Sequence, residues 1–571
     1  MTHDPTKHLT MLITLGIALA LTGVAPAITP ASPLSIHAVD EVDDRLAEGR
    51  EHLLADDLGA ARTAFEAAAA IDGGWRTEQW ILRVDAADDP ESVLGRLSSL
   101  ARSGKSGPEI DYLFGVAFSM QAANSPGGLM FNDAQARLKA ALDAEPDRFA
   151  DAWILLAEAA RNTGDNALSL AAAEACLQRQ PKSVRALDLQ GRAALAMFAQ
   201  RYQEEPRPDE VQGWYDTART AFTRITEQIR RPRSAAEEST LASAWNQLAS
   251  VHAYGDDLGA ARNAYGEAMG WDPVTADPGT AFNVLGLQRF VGCIDYATER
   301  FVERHTNDNR ESTLQWWRGW ALYANNGDLA DAEAAMERAV ALWPGYTNCW
   351  YWLMRIRYDQ QLALGADERD FSSAIDAFER YGEVDRAGLI VTVKAEPVDK
   401  DRIVFLVGRA ANRDLDAAAF MSEILTELEP GNDEFWNNLG LFLRDSAQSR
   451  AIRINQALRR GETIDPSEGR EVSRRYERSW EAYNRALELA PEKPAYYNDA
   501  GVMLHYYLER DYDQAFELYD RCIELANEVL AAGGLEEADA AKLREYVGWA
   551  EDNKRLLTQK IEGEEDGSAD E

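Results

Sequence analysis

Residues Thr313–Pro344 read "TLQWWRGWALYANNGDLADAEAAMERAVALWP". The turn "NNGD" separates two segments, and in each of them apolar side chains recur at the spacing of a helix. Gly327 is predicted to leave the first helix in a left-handed conformation, and Pro344 is predicted to end the second helix. The recurring residues are Trp316, Trp320 and Tyr323 in the first segment and Ala332, Met336 and Ala339 in the second. The stretch therefore predicts a helix–turn–helix unit.

The same unit recurs along the chain. Trp350 opens the next unit 34 positions after Trp316. The heptapeptide "DDLGAAR" occurs twice, at 56–62 and at 256–262. In each copy it is predicted to form the turn between two helices together with the start of the second helix. A fixed period of this length is typical of a repeat protein.

A period of 34 with small residues, aromatic residues and a closing proline resembles the tetratricopeptide repeat. The resemblance implies an all-α fold, a right-handed α/α superhelix (solenoid) of about 11 helix–turn–helix units closed by a C-terminal capping helix. It rests on tryptophans at the fourth position (153, 245, 316, 350, 436), glycines at the eighth (49, 115, 191, 286, 440, 501), alanines at the twentieth (61, 134, 261, 332, 374, 418) and aromatic residues at the twenty-fourth (65, 222, 265, 378, 483, 519).

Departures from the period divide the chain. A linker at 28–42 precedes an N-terminal repeat array at 43–309, which includes a degenerate unit at 75–104. Residues 388–407 are rich in β-branched side chains, so the sequence leaves open a hairpin there, although helices are preferred. The remaining predicted segments are regular central units at 310–381, a C-terminal array at 382–534 with an insertion at 445–474, a capping helix at 535–560 and an acidic disordered tail at 561–571.

The N-terminal residues indicate export. An apolar run at 9–24 follows Lys7 and leads into the small residues "APA" at 25–27. This pattern predicts a signal peptide at 1–27 that is cleaved near Ala27, which would place the protein in the periplasm or outside the cell. The run is almost long enough to span a bilayer, so an uncleaved membrane anchor is the alternative.

Composition and motifs limit the chemistry. The formal net charge of −37 argues against nucleic-acid binding, which needs a basic surface. Four cysteines lack metal-ligand spacing, and the disulfide state of Cys293 and Cys349 stays open. No catalytic or cofactor fingerprint occurs, so we expect no enzyme activity, cofactor or metal. An enzyme with a site in the irregular insertions is the remaining alternative.

The resemblance implies a protein-binding groove lined by the first helix of each pair. Rings, arginines and amides at the corresponding positions suit a bound peptide or protein. The implied groove residues are Asn246, Asn283, Trp317, Tyr351, Arg355, Tyr358, Asn437, Arg444 and Asn498, with His505 at a further equivalent position. Packing of Trp317 and Tyr351 against neighbouring helices is the alternative.

The sequence thus predicts a non-enzymatic interaction scaffold or adaptor that is exported and binds a partner in the concave groove of the superhelix. A membrane-anchored assembly factor, held by an uncleaved N-terminal helix, is the alternative function. The partner and the oligomeric state are not specified by the sequence.

Overall fold

The computed structural model describes residues 36–125, 129–306 and 308–568, and within them the regular structure is helical with no strand. The chain divides into two units between Leu189 and Gln190. The first unit holds α1 (Ile36–Leu54), α2 (Leu58–Ile71), α3 (Trp75–Asp88), α4 (Pro90–Arg102), α5 (Pro108–Asn124), α6 (Phe131–Ala144), α7 (Ala152–Asn162), α8 (Asn166–Arg179) and the start of α9 (Val184–Arg201).

The second unit continues from α9 with helices of less even length. A short 3-10 helix (Ala366–Glu368) and a π-helical turn (Met503–Leu508) interrupt the series. The helices are α10 (Asp209–Gln228), α11 (Ala235–Tyr254), α12 (Leu258–Trp271), α13 (Pro273–Ala276), α14 (Pro278–Leu285), α15 (Leu287–Arg304), α16 (Glu311–Ala324), α17 (Leu329–Leu342), α18 (Thr347–Leu362), α19 (Ser372–Ala395), α20 (Pro397–Ala410), α21 (Leu415–Leu428), α22 (Asp433–Arg459), α23 (Pro466–Leu489), α24 (Pro494–Val502), α25 (Tyr512–Ala532) and α26 (Glu537–Ser568).

The two copies of "DDLGAAR" form the same turn. Asp56 and Asp256 take left-handed conformations with φ of 60° and 64°, which a short polar side chain tolerates. Asp57 and Asp257 then cap the next helix, because each carboxylate accepts a hydrogen bond at 2.9 Å from the backbone N–H three residues later. The turn brings α1 against α2 and α11 against α12. The repeated heptapeptide is therefore a structural device for reversing the chain.

Small residues let paired helices approach, and a ring from the second helix fills the space. A Cβ placed on Gly191 would lie 2.6 Å from the ring of Phe222, and one on Gly501 would lie 2.7 Å from the ring of Tyr519. The alanines at the twentieth position and the rings at the twenty-fourth are all buried. This packing of each helix on its neighbours within a unit confirms the predicted all-α fold of stacked helix pairs.

Two predicted glycine roles are wrong. Gly286 has a φ of 69° and open space around its Cβ position, so it separates α14 from α15 and mediates no close contact. In the turn "NNGD" the left-handed residue is Asn326, with a φ of 52°, and not Gly327. Gly327 is needed for another reason, because a Cβ there would lie 3.0 Å from the carbonyl oxygen of Leu322.

Several segment ends differ from prediction. Helix α1 begins at Ile36, inside the predicted linker at 28–42. Residues 388–407 form helices, with a kink at Asp385 where the helix restarts through a 2.8 Å hydrogen bond from the Gly388 N–H to Asp385 Oδ1. The closing helix α26 continues to Ser568, because the glutamate-rich start of the predicted disordered tail favours a helix.

The insertion at 445–474 consists of the long ends of α22 and α23, which pack against each other. The predicted signal peptide at 1–27 lies outside the described residues. Within those residues, no helix is both long and apolar enough to cross a membrane. The finer division into arrays stays a prediction.

We predict that Gly319→Ala lowers the free energy of unfolding by about 1–3 kcal/mol. Its new Cβ would lie 2.9 Å from the carbonyl oxygen of Ala332 on the paired helix, where backbone cannot move aside cheaply. Gly213→Ala is the matched control, since Gly213 also lies in a helix but has open space around its Cβ position. Urea unfolding should show Gly213→Ala unchanged or stabilised, and an equal loss in both variants would refute the prediction.

Candidate functional site

The predicted groove residues fall into two groups, and the first belongs to the interior. Tyr351 is 6% exposed and its hydroxyl donates a hydrogen bond to the carboxylate of Asp399. Arg355 donates to the Tyr351 hydroxyl at 2.8 Å, and its guanidinium lies 4.9 Å from the ring centre of Trp352. Tyr358 is buried by ring contacts. These three predicted residues thus hold α18 to α20.

Burial raises the pKa of the Tyr351 hydroxyl well above its usual value, and Asp399 adds to that rise. Burial by itself would lower the pKa of Arg355, but the neighbouring Tyr351 and Asp399 outweigh it and raise that pKa. Arg355 therefore stays a cation and Tyr351 stays a neutral donor at neutral pH. The arrangement is a structural network, as the packing alternative for Tyr351 predicts.

Two further predicted residues are also held by neighbouring side chains. Asn498 is buried and its Oδ1 accepts a hydrogen bond from Asn553 at 3.1 Å. Arg444 donates to Asp445 at 2.7 Å and lies over the ring of Tyr507. His505 is buried as well, with Nδ1 at 3.3 Å from the Tyr519 hydroxyl. None of these three polar groups is free to meet a partner without leaving an existing contact.

The remaining predicted residues keep some capacity for binding. Asn283 is exposed on α14. Asn246 and Asn437 occupy equivalent positions of two first helices, and each has a buried amide oxygen without a hydrogen-bond partner in the described structure. A buried acceptor left unpaired costs about 1–3 kcal/mol, which a donor from a partner could recover. Trp317 is half-buried on α16.

Trp317 is part of a continuous row of rings, which we call the aromatic row: Phe282, Trp317, Trp316, Tyr346 and Trp343. Successive ring centres are separated by 6.3, 4.8, 6.2 and 4.9 Å. The first four rings are half-buried, and Trp343 at the end is 51% exposed. The row thus runs from half-buried rings to one exposed ring in the second unit.

Trp343 and Tyr346 were not among the predicted groove residues. A signal for Trp343 was present, because a large ring immediately before a helix-ending proline lies where the helix no longer offers a buried face. In the structure Trp343 follows the last residue of α17 and contacts Tyr346. Trp316 adds a polar feature, since its indole N–H is buried without an acceptor.

Two titratable groups near the predicted residues respond to pH in opposite directions. Burial raises the pKa of Asp499 to about 6, against the opposing charge of Arg444. Burial lowers the pKa of His505 to about 4, and the charge of Lys560 lowers it further. Acid therefore stabilises the fold through Asp499, which is protonated more readily when folded, and destabilises it through His505, which resists protonation when folded.

We predict that single substitutions separate these two effects. Between pH 7 and pH 5, Asp499→Asn should lose about 1–2 kcal/mol of unfolding free energy relative to wild type, because only His505 then responds. His505→Gln should gain a similar amount over the same interval. Urea unfolding at both pH values measures each change, and identical slopes for wild type and both variants would contradict the assignment.

Comparison with known proteins agrees with this architecture. A sequence description of the tetratricopeptide repeat matches residues 150–183, which comprise α7 and α8. No curated protein matches the chain. The resemblance to the tetratricopeptide repeat family is confirmed by this match and by the stacked helix pairs. Stacked helix pairs of this kind build extended concave surfaces, and the fold by itself does not specify a function.

Solved structures of the same class match at low identity. The C-terminal part of a TPR repeat-containing protein from Cytophaga hutchinsonii is 16% identical, with a TM-score of 0.31, over 50% of this chain and 99% of that chain. Yeast Tom70 is 12% identical, with a TM-score of 0.21, over 92% of this chain and 99% of its own. The TPR domain of P58(IPK) is 15% identical, with a TM-score of 0.19, over 79% and 99%.

Proposed function

We propose that this chain is an exported, non-enzymatic scaffold that binds a partner protein or peptide through the aromatic row of the second unit. The observation that carries the proposal is the continuity of the row from half-buried Trp317 to exposed Trp343. Tryptophan and tyrosine dominate the binding energy of protein interfaces, because each buries a large rigid area at low entropic cost. The contacts between successive rings would hold them in place before a partner binds.

Three unpaired polar groups support a peptide or protein partner, one of them in the aromatic row and two on other helices of the second unit. The indole N–H of Trp316 lacks an acceptor, and the amide oxygens of Asn246 and Asn437 lack donors. A peptide backbone carries both kinds of group at every residue. The rings would then provide the contact area, while the unpaired groups would favour a partner whose backbone can supply the missing hydrogen bonds.

Affinity capture of the tagged full chain followed by calorimetry with the recovered partner tests the surface. Trp343→Ala should weaken binding at least tenfold, as expected for truncation of an exposed anchor at an interface. Trp549→Ala is the matched control, because Trp549 is 47% exposed on α26 and also contacts one tyrosine ring. Equal affinity of both variants and wild type would refute binding at the aromatic row. Tyr351→Ala is unsuitable, since it would disrupt the Asp399 network.

Export is proposed from the apolar run at 9–24 and the small residues at 25–27. N-terminal sequencing of the protein purified from its own cells distinguishes two states. A start near Ile28 supports a released scaffold. An intact Met1 or Thr2 supports the alternative of an assembly factor anchored by its N-terminal helix.

The absence of enzyme activity is also part of the proposal. Among the described residues, no three histidine, cysteine, aspartate or glutamate side chains are grouped so that they could hold a metal ion. The four cysteines are free and buried, including Cys293 and Cys349. Burial raises the pKa of Cys293 to about 12, so its thiol is a poor nucleophile. Elemental analysis of the purified protein that revealed a stoichiometric metal would argue for the enzyme alternative.

A further inference from the structure

The first unit contains a cavity of about 610 Å³. Its walls come from the end of α1, the start of α7, the segment 180–183 that joins α8 to α9, and the first two residues of α9. The side-chain amide of Gln180 donates a hydrogen bond to the carbonyl oxygen of Leu54, which ties that segment to α1. The volume lies within the range of about 300–1,000 Å³ that is typical of small-molecule sites.

A buried cation lines this cavity. Arg83 on α3 is 5% exposed, and its Nε donates to Asp151 at 2.9 Å and to the Tyr112 hydroxyl at 3.1 Å. The Tyr112 hydroxyl in turn donates to Asp151 at 2.8 Å. Asp151 therefore has two donors, whereas Nη1 of Arg83 has no partner in the described structure. A guanidinium N–H left unpaired at this depth is a donor that an anionic acceptor could satisfy.

The charges around the cavity also favour a monoanion. Three cations, Arg83, Lys182 and Arg185, line it together with the carboxylates of Asp56 and Asp151, in a chain whose formal net charge is −37. Arg185 is engaged by Glu158 at 2.6 Å, whereas Lys182 is exposed and has no ion pair within the described residues. Asp56 and Asp151 would repel a doubly charged anion more strongly, so a ligand with a single carboxylate fits this lining better.

Most of the remaining lining is apolar. Its leucine, isoleucine and methionine side chains come from α1, α2, α5 and α7. They are Leu53, Leu54, Leu58, Met120, Ile154 and Leu155. Such a wall favours a ligand with an apolar body, because binding removes that apolar surface from water.

We propose that this cavity binds an amphiphilic monocarboxylate as a small molecule. The carboxylate would lie toward Arg83 and Lys182, and the hydrocarbon body would contact the leucines and Ile154. The site belongs to the first unit and uses none of the residues of the aromatic row. The inference therefore stands apart from the proposed scaffold function and would add a ligand that the fold alone does not imply.

Calorimetry of the full chain with decanoate, below its aggregation concentration, tests the proposal. We expect saturable binding of one decanoate per chain and at least tenfold weaker binding of 1-decanol, which has the same hydrocarbon body but no charge. Lys182→Glu should weaken decanoate binding roughly tenfold, since it reverses an exposed charge near the carboxylate. Lys139→Glu is the matched control, because Lys139 is also exposed in the first unit but does not line the cavity.

Ile154→Trp, which fills the cavity from a half-buried position, should abolish binding while circular dichroism stays unchanged. If Ile154→Trp does not fold, the comparison of Lys182→Glu with Lys139→Glu still decides the outcome. No saturable binding, equal binding of decanol, or equal effects of the two lysine variants would overturn the proposal. If a peptide with leucine and aspartate at its C-terminus binds and decanoate does not, the cavity is a peptide site and the proposal is overturned.

Discussion

Replacing Asp151 with alanine should lower the free energy of unfolding of the first unit by about 3–5 kcal/mol. The substitution leaves the Arg83 guanidinium buried without its counter-charge, and the Tyr112 hydroxyl loses its acceptor. Both side chains of the ion pair are 6% exposed, so water cannot replace the carboxylate cheaply. Native-state hydrogen exchange at the amides of α3 and α7 would measure the loss.

The control for this prediction is Asp147→Ala. Asp147 is also an aspartate bonded to an arginine, but its side chain is 88% exposed, so we expect a change of about 0.5 kcal/mol or less. The double variant Arg83→Met, Asp151→Leu removes both charges and should recover most of the stability lost in Asp151→Ala. A loss of unfolding free energy below about 1 kcal/mol in Asp151→Ala would contradict the prediction, because breaking a buried ion pair should cost more than that.

A loss of similar size is expected in the second unit for Asp399→Ala. The Asp399 side chain is fully buried on α20, where it accepts hydrogen bonds from Tyr351 and, at 2.6 Å, from Arg402. Arg355 lies 3.7 Å away. Removing the carboxylate leaves Arg355 and Arg402 with only Asp359, which lies 3.8 Å from Arg402, as a counter-charge, and such a loss costs about 3–5 kcal/mol in comparable buried networks. Urea unfolding followed by tryptophan fluorescence would report the change, since Trp352 lies under Arg355.

Asp401→Ala provides the matched control, because Asp401 is an exposed aspartate on the same helix. Asp399→Asn should show an intermediate loss, because the amide oxygen can still accept a hydrogen bond while the charge is gone. Equal stability of Asp399→Ala and Asp401→Ala would mean that the network contributes nothing to the fold.

Much of the fold could be predicted because its signals are local. The turn conformation of "DDLGAAR" and the burial of Ala61 and Phe65 depend on neighbours within one helix pair. The repeat period makes such positions recognisable in the sequence. Gly327 and Gly286 were assigned the wrong roles for a related reason. The left-handed conformation is assigned by default to a glycine in the turn, although asparagine can also adopt it and the glycine can be required for another reason.

The candidate site was less predictable because its contacts are distant in sequence. Tyr351 meets Asp399 48 residues later, on an irregular segment whose helical state was itself uncertain. Arg83 meets Asp151 68 residues later, and no motif connects the two. Equivalent repeat positions specify which helix face a residue occupies, but they do not specify whether that face is later covered by a neighbour.

The fit of each ring against the glycine of its own pair has a mechanical consequence. Phe222 closes on Gly191 and Tyr519 closes on Gly501, so each closure is completed by residues close in sequence. When the ends of such a chain are pulled, a pair can open while the pairs beside it keep their own closures. Extension by force should therefore proceed in small steps, with helix pairs opening one after another and not all at once.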